Sequence, residues 1–136
     1  MAGLSIFDIS GRAMSAQLVR LNTTASNLAN AGSVAGSEAE AYKARKPIFE
    51  TYFDQASGGA VATVDVVDVV SAGGTPVKRY DPGHPMADKN GYIYEAAVDQ
   101  TQEMVELLEA SRQYQNNVEV IQTAKSLMLN TLKLGQ

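Results

Sequence analysis

The stretch DQTQEMVELLEASRQYQNNVEVIQTAKSLMLNTLKL, from Asp99 to Leu134, contains neither glycine nor proline. Its apolar residues recur at helical spacing. Written as heptads, a falls on Met104, Ser111, Val118, Lys125 and Leu132, and d on Leu107, Tyr114, Ile121 and Met128. Only Ser111 and Lys125 break the stripe, and Leu108, Ala124, Leu127 and Leu129 widen it. Asp99 is a natural N-cap, Gln102 three residues on completes a capping-box pattern, and Gly135 stops the run. A helix of this length reaches roughly 50 Å at 1.5 Å per residue. The rest of a 136-residue chain cannot cover it on every side, and uncovered apolar faces call for partner subunits.

The opposite end of the chain carries a matching pattern. From Leu4 to Asn30, a falls on Leu4, Gly11, Leu18 and Ala25, and d on Phe7, Met14, Leu21 and Leu28, with Gly11 the one gap. Arg12, Gln17, Arg20, Asn22 and Asn27 lie off this stripe. Asp8 or Ser10 is placed to cap the start, and Gly32, beside Asn30, to stop the end. Both ends therefore present coiled-coil-like seams that can pair antiparallel.

The middle of the chain is of another kind. Ala31–Ala41 reads as a flexible loop. Pro47–Phe53 alternates, Val61–Val70 is valine-rich, and Val77–Tyr80 and Tyr92–Glu95 are short apolar runs, so four strands are predicted. Ser57-Gly58-Gly59, Gly73-Gly74 and Asp81-Pro82-Gly83-His84-Pro85 supply the turns. The expected fold class is α+β: long N- and C-terminal helices pairing as a coiled-coil-like bundle, with a small β-rich central insert. The expected divisions are 1–31, 32–98 and 99–136, the two helical ends together forming one unit.

Composition narrows the function. The net charge is −4, with 11 Lys+Arg against 15 Asp+Glu, and no basic run provides a footprint for nucleic acid. Lys43, Arg45 and Lys46, like Lys78 and Arg79, read as solvated charges. Without cysteine there is no thiol nucleophile, disulfide or thiolate metal site. No apolar run approaches the length of a membrane span, and the first ten residues lack the basic and apolar regions of a cleaved signal. The single histidine, His84, sits in a proline-flanked turn with no serine–aspartate arrangement to complete. Asp65 and Asp68, three apart in a strand, should point to opposite faces. Glu103, Glu106 and Glu109 read as a solvated helix flank, and Tyr42, Phe49, Tyr52 and Phe53 as packing for the insert. No catalytic residue, cofactor or metal site is expected.

Against this background, the run from Ala13 to Asn30, AMSAQLVRLNTTASNLAN, resembles the opening of bacterial flagellar rod and hook proteins. Tyr80-Asp-Pro-Gly-His-Pro85 with Gly91-Tyr92 is similar to one basal-body rod branch of that family. So are Glu103-Met104, Glu109-Ala-Ser-Arg-Gln-Tyr114, Asn117, Lys125 and Leu132-Lys-Leu-Gly135 in the last helix. The resemblance spans nearly the whole chain. It departs at Ala96-Ala97-Val98, where the family has Pro-Asn-Val, and at Tyr114-Gln-Asn-Asn117, where it has Tyr-x-Ala-Asn.

The resemblance implies a structural subunit of the proximal rod, in the periplasmic part of the flagellar basal body, exported through the flagellar type III apparatus without a cleaved signal. It implies partners among proximal and distal rod subunits, membrane-ring and rod-base proteins and copies of itself, with no nucleic acid and no small-molecule substrate. It also implies terminal helices that are disordered before assembly. The expected assembly interface is Leu4, Phe7, Met14, Leu18, Leu21, Asn22, Asn27, Leu28, Asn30, Met104, Leu107, Leu108, Tyr114, Val118, Ile121, Met128 and Leu132. Two rival readings are a soluble helical adaptor binding a single partner, and an enzyme using the His84 turn.

Overall fold

The computed structural model describes residues 5–53 and 61–135. The turn expected at Ser57-Gly58-Gly59 lies outside them, as does Leu4. Helix α1 (Ile6–Asn30) begins one turn earlier than Asp8 or Ser10 would allow. Ser5 is the cap: its hydroxyl accepts the Asp8 N–H, and the Asp8 carboxylate returns to the Ser5 N–H and hydroxyl. Asp8 is thus the reciprocal partner of the box. The bonds from Ser5 hold its carboxyl below the usual aspartate range. The helix ends at Ala31 in right-handed backbone, followed by a turn from Ser33 N–H to the Asn30 carbonyl. Gly32 does not take a left-handed conformation, so it follows the stop without making it.

Helix α2 (Gln100–Leu134) runs unbroken for 35 residues. Asp99 caps it, accepting from the N–H groups of Thr101 and Gln102. The Gln102 side chain reaches forward to Glu106, so only one half of the expected box is present. Residues meet across the helix pair as Gln17 with Gln113, Arg20 with Glu109 and Asn27 with Glu103. Numbering rises along one helix and falls along the other, so the pair is antiparallel.

Between the helices lie two small sheets. Strands β2 (Arg45–Phe53) and β3 (Ala62–Ser71) form a long antiparallel hairpin. Strands β1 (Val34–Ala35), β5 (Tyr92–Glu95) and β4 (Val77–Tyr80) form a second sheet in that order. β1 lies inside the stretch expected to be loop; its two residues find a ready edge on β5. Ile93, fully buried, anchors this sheet near the α1–α2 closure, where Ala96 N–H bonds the Ser33 carbonyl. Gly73 and Gly74 adopt positive φ, as the expected turn requires.

The hairpin lies along α1, with the Arg12 guanidinium 2.7 Å from the Asp65 carboxylate, and its base reaches α2 where Lys46 meets Glu106. In β3, pairing skips Val67: Ile48 faces Asp68, and Phe49 faces Val66. This bulge overturns the expected disposition of the aspartates. Asp65 opposes Glu50 and Asp68 opposes Ile48, so both lie on one face of the hairpin. A second correction concerns the aromatics. Phe49, Tyr52 and Phe53 are all exposed, Tyr52 on one face of the two-stranded ribbon and Phe49 and Phe53 on the other, because no further layer covers it at these positions.

Candidate assembly interface

The tightest node of the molecule is Asn27, 1% exposed. Its Oδ1 accepts from the Arg45 N–H and the Tyr42 hydroxyl, each at 2.9 Å. Its Nδ2 donates to the Arg45 carbonyl at 2.8 Å and to Glu103 Oε2 at 2.9 Å. All four hydrogen-bonding sites of the amide are used. The side chain bonds Arg45 through both its N–H and its C=O, as a neighbouring strand would, at the point where β2 begins. One residue thereby ties α1, the base of the hairpin and α2 together.

Two of the three glutamates read as a solvated flank, Glu103 and Glu106, are inside this arrangement, while Glu109 is exposed as expected. Glu103 is 3% exposed against Asn27. Glu106 meets Lys46 Nζ at 2.9 Å, which also takes Lys46 out of the solvated group. Burial works against the Glu106 carboxylate. The hydrogen bond and charge of Lys46, then Arg20 and Gln102, outweigh it and hold the carboxyl below the usual glutamate range. Lys78 lies 4.1 Å over the Tyr92 ring and Arg79 reaches Glu95 at 3.0 Å, so this second basic pair is engaged as well.

The fully buried positions of the two helices are small and polar. Ser10, Ala16, Thr23, Thr24 and Asn27 are the buried positions of α1, and Glu103 and Ala110 those of α2. The expected stripes flank this track and divide into two groups. Phe7, Met14, Leu21, Leu28, Leu107, Tyr114, Val118 and Ile121 are half-buried. Leu18, Met104, Leu108, Met128 and Leu132 are exposed, Leu108 at 71%. Asn22 is exposed, and Asn30 is half-buried and donates to the Ser26 carbonyl within its own helix. Continued at the observed register, residues beyond about Lys125 have no described α1 residue opposite them. There Leu127, Met128, Leu129, Leu132 and Leu134 stand exposed. Where α1 begins, Ile6, Val120, Ala124 and Leu127 line an open apolar groove of about 620 Å³.

The His84 turn is used structurally. His84 Nδ1 accepts the Met86 N–H, and the His84 N–H reaches the Asp81 carbonyl. Asp88 accepts from the Tyr92 and Asn90 N–H groups, and the Tyr92 bond is the main cause holding its carboxyl below the usual range. Among the described residues, no group of three or more His, Asp or Glu side chains could hold a metal ion. No helix of the described residues is long and apolar enough to cross a membrane.

Residues 7–36 match the family described as flagella basal body rod protein, and residues 89–134 match flagellar basal body rod FlgEFG protein C-terminal. Over all 136 residues the chain is 48% identical to flagellar basal-body rod protein FlgC of Salmonella typhimurium, covering the whole of both chains. It is equally similar to the FlgC of Escherichia coli O157:H7, and 46% identical to that of Yersinia enterocolitica, again over the full length of each.

Proposed function

This chain belongs to the FlgC family of flagellar basal-body rod proteins, and we propose that it transmits torque along the proximal rod by side-chain packing alone. It is a structural subunit of the basal-body rod and not an enzyme. The observation that supports the packing reading is the row of large apolar side chains left uncovered on α2, from Met104, Val105 and Leu108 to Leu127, Met128, Leu129 and Leu132. They are 48–71% exposed, so each contributes roughly 1–2 kcal/mol when a neighbour completes its burial. Five of them amount to roughly 5–10 kcal/mol per subunit before ordering costs are subtracted. The buried small and polar residues of α1 and α2 help fix the helix pair within the chain, leaving the exposed leucines and methionines for other subunits.

In this reading the stripes meet their neighbours in coiled-coil-like packing. Phe7, Met14, Leu18, Leu21 and Leu28 of α1, preceded by Leu4, work with Met104, Leu107, Leu108, Tyr114, Val118, Ile121, Met128 and Leu132 of α2. Asn22 and Asn30 set register between subunits. Asn27 contributes indirectly, by holding the helices and the hairpin in one geometry. The partners are proximal and distal rod subunits, membrane-ring and rod-base proteins and further copies of the chain. The chain reaches the periplasm through the flagellar type III apparatus, and its ends become ordered as they pack.

Leu108→Asp tests this directly. The side chain is exposed, so the substitution should leave the isolated chain unchanged. The account expects the variant to be made and exported, yet to be missing from purified basal bodies, with swimming lost. Normal swimming would defeat the packing reading.

A further inference from the structure

Of the asparagines in this chain, Asn90 alone is followed by glycine. That pair is the asparagine linkage most open to attack from within. Glycine has no side chain to hinder the backbone nitrogen, so the nitrogen can swing onto the preceding side-chain carbonyl. Once it has given its proton to hydroxide, Gly91 N attacks Asn90 Cγ. A bond from this nitrogen to Cγ forms, the bond from Cγ to the side-chain nitrogen breaks, and ammonia leaves after taking a proton from water. The resulting cyclic imide takes up water, which opens either of its two C–N bonds. One opening gives aspartate, and the other gives isoaspartate, whose side-chain methylene now runs in the main chain. The other asparagines precede Thr23, Leu28, Ala31, Asn117, Val118 and Thr131, whose side chains crowd the same attack.

The native turn opposes this chemistry. Gly91 N–H donates to the Asp88 carbonyl at 3.0 Å, so the nitrogen that must lose its proton is held as a donor. Asn90 N–H donates to Asp88 Oδ1 at 2.8 Å, and Tyr92 N–H to the same oxygen at 2.9 Å. The Asp88 N–H in turn reaches the Tyr92 carbonyl at 2.8 Å, and the Gly91 carbonyl accepts the Asp81 N–H at 2.9 Å. Both backbone groups of Gly91 are engaged, and the residue is held at φ +79° with Pro82 and Tyr80 against it. The Asn90–Gly91 peptide cannot rotate toward the imide without opening these bonds. Asn90 itself is exposed to water, so its protection comes from this geometry and not from burial.

We propose that Asn90–Gly91 is a site of spontaneous deamidation which the folded turn seals and the unfolded chain leaves open. The modification therefore records time spent unfolded. It also acts on the fold. A carboxylate at position 90 stands next to Asp88, and isoaspartate lengthens the tight link between Asp88 and Tyr92, beside which β4 and β5 pair. A chain left unfolded too long returns to a weakened β4–β5 sheet.

The purified full chain tests this. It is incubated at mildly alkaline pH with and without urea. Each asparagine is followed by peptide mass spectrometry, and isoaspartate by enzymatic methylation. In urea, Asn90 should be modified ahead of every other asparagine. In native buffer its reaction should be at least about tenfold slower, because three hydrogen bonds to Asp88 must open first. Asp88→Ala keeps the carbonyl but removes the side-chain acceptor. It should raise the native rate several-fold and leave the rate in urea unchanged. Asp88→Asn keeps an acceptor oxygen and should retain most of the protection. Chain aged in urea and returned to buffer should lose slow amide exchange over β4 and β5, which unaged chain taken through the same cycle keeps. Equal rates with and without urea would overturn the proposal, as would earlier modification of another asparagine in urea. A wild-type native rate in folded Asp88→Ala would refute the seal, and unaltered exchange in the aged chain would refute the effect on the sheet.

Discussion

Replacing Asn27 by alanine should cost more than replacing any leucine of the exposed stripe costs the isolated chain. The amide makes four hydrogen bonds of 2.8–2.9 Å, to both backbone groups of Arg45, to Tyr42 and to Glu103. Tyr42 is half-buried and can turn to water. Glu103 is 3% exposed and loses its Asn27 donor inside the structure. The Arg45 N–H and C=O lose their partner at the mouth of the hairpin. An orphaned buried polar group costs about 1–3 kcal/mol, and coupled losses do not add fully, so Asn27→Ala should cost about 3–5 kcal/mol. That corresponds to roughly a hundred- to several-thousand-fold loss of the assembly-competent conformation. Asn27→Asp should be at least as severe at neutral pH, since it sets a second carboxylate against Glu103 and removes both donated bonds. The assay is competition: wild type and variant are expressed together, and their ratio in basal bodies is read by mass spectrometry against their ratio in the exported pool. The expected variant share is below about one in a hundred. A near-equal share would refute the claim that this node fixes the helix pair.

Other consequences can be read with similar tools. Leu107→Asp should be synthesised and exported but excluded from the rod, and normal motility would contradict its place in the packed stripe. Gly91 sits at φ +79°, and an added Cβ would lie 3.0 Å from both Pro82 Cβ and Tyr80 Cε2. Gly91→Ala should therefore destabilise the β4–β5 region by about 1–3 kcal/mol, seen as faster amide exchange there, and unchanged exchange would contradict the strain. The Glu106 carboxyl is held below its ordinary value of 4.5. Its contribution to stability is thus present above that value and lost as pH falls through the lower folded one. Glu106→Gln should remove this part of the acid sensitivity of the Lys46 contact, and an unaltered acid profile would count against it.

Much of the architecture was legible because its signals are local. Uninterrupted 3.6-residue periodicity between Asp99 and Leu134 announces α2, and alternation with valine enrichment announces β3. The two short strands at Val77–Tyr80 and Tyr92–Glu95 fall at their expected bounds for the same reason. What was missed depends on pairing. A single bulge at Val67 reverses the face of Asp68, and no residue type marks it. β1 is two residues long and exists because β5 offers an edge. The fully buried positions were not legible. The apolar stripes were expected to pack both within and between subunits, and within the chain the buried residues are Ser10, Ala16, Thr23, Thr24 and Asn27 on α1, and Glu103 and Ala110 on α2. Their one trace is spacing: small residues recur on α1 every three to seven positions, and Glu103, Ala110, Asn117 and Ala124 are spaced by sevens. In a chain built to assemble, the strongest hydrophobic stripe is the one the fold leaves available.

The central claim is that the faces of α2 which α1 leaves open are covered by neighbouring subunits. Amide hydrogen exchange across residues 100–134, compared between the free chain and intact basal bodies, measures this most directly. The account predicts fast exchange in the free chain, fastest from Lys125 to Leu134, where no described α1 residue lies opposite, and strong slowing along the whole helix in basal bodies. Slow exchange throughout α2 in the free chain, unchanged in basal bodies, would contradict it.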